Sequence, residues 1–275
     1  MTRSDRDPRT PRSIELEVEV PGTPEEVWRA IATAPGITAW LHPTELEERE
    51  GGRMAYDMGD GMSGTAVVRD WDPPRRYVEE AEWALHGEPD DAVTLATEWI
   101  VEAREGGTCV VRMVSSGFGT GASWDEEIEG FTEAMETALV NLRLYLAHFA
   151  GARGEWIRVF GRAPGSLEEG LDALVRALGL TGVAPGDRVS AGAPGAPSLA
   201  GVVEHLAEGR WQRHLLLRLE RPAPGLASVG LWGEARTTTI QLCLYGDEGA
   251  RVAESEAPAW RAWMEARFPA VASAA

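Results

Sequence analysis

From Glu45 to Ser115 the chain carries a succession of short strand-like runs, each closed by turn-forming residues, and the succession ends in one long stretch of helical periodicity. Gly51-Gly52, Gly59-Asp60-Gly61, Asp72-Pro73-Pro74, a polar segment at 87–91 and Glu105-Gly106-Gly107 separate runs at 45–50, 53–58, 64–71, 77–85, 92–103 and 108–115. Short strands joined by tight turns pair as an antiparallel meander. From about Trp124 to Phe149, Ile128, Phe131, Met135, Leu139, Leu142, Leu146 and Phe149 recur at helical spacing, with the small Ala134 and Ala138 on the same face. A face that wide has to be covered, and a curved sheet can grip it. The fold expected is therefore α+β, an antiparallel curved sheet around a long helix.

The segment before the meander agrees. Ile14, Leu16, Val18 and Val20 alternate with Glu15, Glu17 and Glu19, the pattern of a half-buried strand. Thr23-Pro24-Glu25-Glu26 then offers an N-cap, a proline at the first helical position and a glutamate that completes a capping box. Val27, Trp28 and Ile31 form the buried stripe, Pro35-Gly36 is read as a break, and 37–41 as a second helical turn.

After a short linker at Gly151 to Gly154, the order begins again. Pro21-Gly22-Thr23-Pro24-Glu25-Glu26-Val27-Trp28-Arg29-Ala30-Ile31 aligns with Pro164-Gly165-Ser166-Leu167-Glu168-Glu169-Gly170-Leu171-Asp172-Ala173-Leu174. A Pro/Gly-rich segment, Ala184 to Pro197, follows. Strand-like runs come next at 199–206, 211–219, 226–232 and 237–244, then a short helix at 257–268. Two tandem copies are expected, a helix-grip unit over 12–150 and a shorter, divergent one over 154–270.

Charge and composition exclude several functions. Lys plus Arg number 26 against 44 Asp plus Glu, a net charge of −18. Such a chain repels phosphate backbones and anionic bilayers, so neither nucleic acid nor a membrane is expected as partner. No run approaches the length of a membrane span and the first dozen residues lack a signal-peptide core. Cys109 and Cys243 suggest no disulfide framework. A reducing cytoplasmic setting fits. Eleven tryptophans stand against five phenylalanines, and large rings with a polar N–H often line cavities.

Four segments carry a resemblance. They are Val20 to Ile31; Ile37-Thr38-Ala39-Trp40-Leu41; Val67-Val68-Arg69-Asp70-Trp71-Asp72-Pro73-Pro74-Arg75-Arg76-Tyr77; and Gly130-Phe131, at the opening of the long helix. Over residues 12 to 150 the chain resembles the START/Bet v 1-like superfamily, and within it the bacterial homologues of the Hsp90 ATPase activator. The resemblance implies a helix-grip fold with a cavity between sheet and helix. It also implies a protein that binds hydrophobic small molecules, acts as a polyketide cyclase, or assists a chaperone. It supplies no universal catalytic set.

The candidate pocket walls are Trp40, Met54, Met58, Trp71, Trp83, Trp99, Met113, Phe118, Phe131 and Met135, with Met62 beside them and His42 as a polar anchor or general base near Trp40. Gly117-Phe118-Gly119-Thr120-Gly121-Ala122 fits a dinucleotide-binding pattern, but it follows a hairpin and leads into Asp125-Glu126-Glu127, which would repel a pyrophosphate. These glycines are read as a gate at the cavity mouth. His42, His86, His148, His205 and His214 show no zinc-binding spacing, so neither metal nor cofactor is expected. Asp70, Glu80, Glu82 and Glu98 are candidates for inward carboxylates with acid–base capacity, although strand alternation sends many of them to solvent. With no catalytic constellation legible, the leading expectation is non-enzymatic binding of a hydrophobic small molecule. A cyclase or aromatase-like enzyme and an Hsp90 co-chaperone are the alternatives.

Overall fold

The computed structural model describes residues 12–84, 92–191, 195–233 and 236–269; His86, the 87–91 segment and the tail 270–275 lie outside them. The first unit runs β1 (Arg12–Pro21), α1 (Pro24–Ala32), α2 (Ala34–Thr38), β2 (Thr44–Leu46), β3 (Arg53–Gly59), β4 (Met62–Asp72), β5 (Arg76–Trp83), β6 (Val93–Arg104), β7 (Thr108–Phe118) and α3 (Ala122–His148). Its sheet has seven strands in the order β1-β7-β6-β5-β4-β3-β2, every neighbouring pair antiparallel.

The capping box of α1 forms as expected. Glu26 N donates to Thr23 Oγ1 at 3.3 Å and Thr23 N donates back to Glu26 Oε2 at 2.9 Å. Pro35 does not act as a break. Thr33 ends α1 and caps α2, its Oγ1 accepting from Gly36 N at 3.1 Å, and Pro35 falls in the first turn of α2, where a missing N–H costs nothing. The expected run at 45–50 is paired only over Thr44–Leu46, because the chain turns back on itself at Gly52. The glycine-rich segment is also shorter as a loop than expected. β7 continues to Phe118 and α3 starts at Ala122, with Gly117 at φ +102° and so near β6 that a Cβ would lie 2.3 Å from the Thr94 carbonyl oxygen.

The second unit is β8 (Gly154–Arg162), α4 (Leu167–Leu178), β9 (Arg188–Ala191), β10 (Leu199–Glu208), β11 (Gln212–Arg221), β12 (Gly225–Trp232), β13 (Thr237–Tyr245) and α5 (Gly246–Arg267). Its sheet has six strands, ordered β8-β13-β12-β11-β10-β9. α4 repeats the capping box through Ser166 and Glu169. In each unit the first strand pairs with the last, and the long helix lies chiefly over the first strand, α3 over β1 and α5 over β8. These are two tandem helix-grip units. Two expectations for the second copy need correction. β9 arises within the Pro/Gly-rich segment, and α5 begins at Gly246 rather than near 257, with Pro258 in its interior. Proline removes one helical hydrogen bond. Ala253 before it and Trp260, Trp263 and Met264 after it are all buried, and their packing carries the helix through.

The second sheet is covered on both faces. Ile157, Leu215, Val229 and Leu242 face α4 and α5 in one aliphatic core. The opposite face docks on the first unit, where Leu226, Cys243 and Tyr245 join the core built around Trp28, Trp40 and Leu142. Polar ties accompany this contact. Arg158 meets Asp57 at 2.6 Å and Arg162 meets Asp60 at 3.1 Å. The Tyr245 hydroxyl donates to the Ala39 carbonyl at 2.8 Å.

Candidate functional site

Alternation along β5 sends Tyr77, Glu79, Ala81 and Trp83 to the concave side. Tyr77, Trp83 and Ala81 each belong to one of three apolar clusters lining that side, which fixes the direction of Glu79 between them. Glu79 is paired with Thr97 on β6, Thr97 with Ser115 on β7, and Ser115 with Ile14 on β1. A polar rank, Glu79–Thr97–Ser115, therefore crosses an otherwise apolar floor. Thr97 and Ser115 hydroxyls lie 2.9 Å apart in a hydrogen bond, and Ser115 is fully buried.

Glu79 has no such satisfaction. Its Oε2 is buried without a hydrogen-bond partner, as is the indole N–H of Trp99, diagonal to it across β5 and β6. Burial pushes the Glu79 carboxyl up to about 7, opposed in part by the Trp99 N–H although the pair does not reach hydrogen-bond geometry. The residue as a whole keeps an intermediate exposure. Tyr56 is raised to about 12 by burial and by the Glu79 charge. The Tyr77 hydroxyl, also shifted upward by burial, donates to the Ile31 carbonyl at 3.0 Å.

The expected wall residues divide among the clusters. Trp40, Trp71, Trp99, Met113, Phe131 and Met135 meet in the largest cluster of the first unit. Phe118 lies in an adjoining one with Trp83 and Phe131, and Trp83 ties sheet to helix by donating from Nε1 to Glu127 at 3.0 Å. Met54 packs with Ile37, Ala66 and Tyr56 on the far flank. Met58 and Met62 belong to none of these clusters. Trp40 is 2% exposed and its N–H donates to the Ala30 carbonyl at 3.0 Å. His42 stacks on Tyr56 at 5.1 Å, its Nδ1 pairs with the Thr44 hydroxyl at 3.0 Å, and burial lowers its pKa to about 4. At neutral pH it is an uncharged ring.

None of the carboxylates singled out in the sequence points inward. Asp70 and Glu98 both bind Arg76, Glu80 binds Arg69, and Glu82 accepts from Thr94, all on the outer face. The inward one is Glu79. Its signal was present, because Glu79 and Glu80 are consecutive in a strand and one of them has to face the floor.

Two recesses, of about 140 and 290 Å³, lie outside the grip, between α3 and the second sheet. Among the described residues no group of three or more His, Cys, Asp or Glu side chains could hold a metal ion, and no helix is long and apolar enough to cross a membrane. The cysteines are free and buried.

The family model of activator of Hsp90 ATPase homolog 1-like proteins matches residues 21–147. No curated protein matches the chain. Similar solved structures include protein MLL2253 from Mesorhizobium loti, 20% identical over 50% of this chain and 98% of that one, with a TM-score of 0.45. The Aha1 dimer from Colwellia psychrerythraea is 14% identical over 51% of this chain and 99% of that one, with a TM-score of 0.41. The di-domain ARO/CYC BexL from the BE-7585A biosynthetic pathway is 14% identical over 95% of this chain and 100% of that one, with a TM-score of 0.45. At these identities none carries its function over. The match to activator of Hsp90 ATPase homolog 1-like proteins thus lies within the N-terminal unit and spans a little less than half of the chain.

Proposed function

We propose that the first unit binds a small apolar molecule between its sheet and α3, with one hydrogen-bonding group of that molecule set against Glu79. The supporting observation is the polar rank Glu79–Thr97–Ser115 in a floor of tryptophan, methionine and phenylalanine. An unpaired buried carboxyl is costly. A ligand group at Glu79 offsets that cost, while burial of its apolar body against Trp71, Trp99, Phe131 and Met135 supplies most of the affinity at ~25 cal/mol per Å². Native mass spectrometry of the purified chain tests this. Co-purified small molecules, or uptake of an apolar probe, are expected. A chain that purifies empty and takes up no such probe contradicts the reading.

Glu79 also favours a second reading, an acid–base enzyme using the same cavity. A carboxyl that titrates at about 7 can both give and take a proton near neutrality. Turnover of a bound carbonyl compound that is lost in Glu79→Gln distinguishes this from binding alone. The co-chaperone reading rests on the family description and gains nothing from Glu79.

A further inference from the structure

α3 turns Ala134, Thr137, Ala138 and Asn141 toward the docked face of the second sheet, and these short side chains leave a recess of about 140 Å³ unfilled between the two surfaces. Opposite them stand His214 on β11, Ser228 on β12 and Gln241 on β13, the last two paired across the strands. Trp156 adds an aromatic wall, as does Trp40, whose ring also packs on Trp99 at 6.1 Å and so divides this recess from the grip.

The polar groups in the walls are all uncharged. Among the described residues no Asp, Glu, Lys or Arg lines the recess. His214 is 6% exposed and burial lowers its pKa to about 4, so it is neutral at pH 7. Its Nδ1 pairs with the Ser228 hydroxyl at 2.8 Å, while Nε2 has no partner. The Cys243 thiol is raised to about 12 and is neutral too. The side-chain amides of Asn141 and Gln241 make no hydrogen bond to the described residues.

Size and chemistry narrow the occupant. The volume is close to the ~150 Å³ cavity that accommodates benzene. A carboxylate or an ammonium would enter with no counter-charge to replace its hydration. A bare hydrocarbon would leave both amides unpaired. We propose that this recess is a second binding site, taking a single uncharged aromatic ring that carries a hydrogen-bonding group, such as a phenol or an aromatic amide. It requires both units, since α3 supplies Thr137 and Asn141 and the second sheet supplies His214, Ser228 and Gln241.

The test is a titration of the full chain with phenol, benzamide, benzoate and benzylamine, followed by backbone and side-chain amide NMR shifts. Phenol or benzamide is expected to move the Asn141 and Gln241 side-chain amides and the backbone at 214 and 228. The two charged probes are expected to bind at least about tenfold more weakly. Ala134→Leu, an exposed position bordering the recess, abolishes the shifts by filling it, and Gln241→Leu weakens binding about tenfold. Glu80→Gln, on the outer face of the first sheet, changes nothing. Thermal unfolding identifies variants that remain folded; if Ala134→Leu is not, Gln241→Leu decides. Absence of shifts with every probe, charged probes binding equally well, or full affinity in a folded Gln241→Leu protein overturns the proposal.

Discussion

The indole N–H of Trp156, in the first strand of the second sheet, donates to the carbonyl oxygen of Thr38 at the end of α2, 2.7 Å away. This bond joins the two units at the segment that also presents Trp40 to the grip. Trp156→Phe keeps an aromatic side chain, though a smaller one, and removes the donor, leaving a half-buried carbonyl without its partner. A loss of ~1–2 kcal/mol in urea unfolding is expected. An unchanged midpoint contradicts a structural role for the bond.

Glu133 of α3 acts as a second tie. Its carboxylate accepts from the backbone N–H groups of Arg210, Trp211 and Gln212 at 2.8, 2.9 and 3.1 Å. Charge-assisted bonds of this kind are stronger than neutral ones. Glu133→Ala is expected to cost ~1–3 kcal/mol. Arg210→Ala, which removes exposed pairs with Glu126 and Glu129 and the guanidinium 4.7 Å above the Trp211 ring, is expected to cost no more than ~1 kcal/mol. The reverse ranking in denaturant titrations would show that the ion pairs, not the backbone cradle, hold the turn.

The raised carboxyl of Glu79 has a definite pH signature. The folded chain holds this proton to about 7, against an ordinary value of 4.5, so it binds the proton more tightly than the unfolded chain does. The stability linked to it is whole below about 4.5 and fades as pH rises through about 7. Glu79→Gln removes the titration. The melting temperature of Glu79→Gln minus that of the parent should therefore grow from pH 4.5 to 7 and then level off. A difference that stays flat across this window contradicts the buried setting of Glu79.

His214 has the opposite sign. Its pKa of about 4 lies below the ordinary 6.5, so the stability tied to the neutral ring is whole above 6.5 and is lost as pH falls through about 4. His214→Gln should lose less stability than the parent between pH 6.5 and 4. Equal acid sensitivity of the two proteins places the acid response elsewhere, with His42 the next group to replace because its pKa is lowered in the same direction.

Local signals in the sequence were strong where they acted locally. The capping chemistry at Thr23 and Ser166, the turn residues between strands and the periodicity of α3 fixed the element order and the repeat. The last helix is read from the sequence only over 257–268; its first turns and its passage through Pro258 depend on the packing of Ala253, Trp260 and Met264, which is tertiary. β9 was hidden for a similar reason: four residues in a Gly/Pro-rich stretch pair only because β10 lies beside them. In the candidate site the abundance of tryptophan was legible from composition, but which carboxylate faces inward depended on strand phase. Glu80, Glu82 and Glu98 were visible as acids among apolar residues, and only register shows Glu79 in line with Thr97 and Ser115. The polar recess between the units was beyond reach, since its groups come from α3, β11, β12 and β13.

The most direct measurement is an NMR titration of the full chain with 1-naphthol and with naphthalene, repeated on Glu79→Leu. The account predicts that 1-naphthol shifts the backbone resonances of residues 79, 97 and 115 together with the Trp99 indole N–H. It should bind more tightly than naphthalene and lose about tenfold of its affinity in Glu79→Leu. Shifts confined to residues outside the grip, or equal affinity of 1-naphthol for the parent and Glu79→Leu, would contradict it.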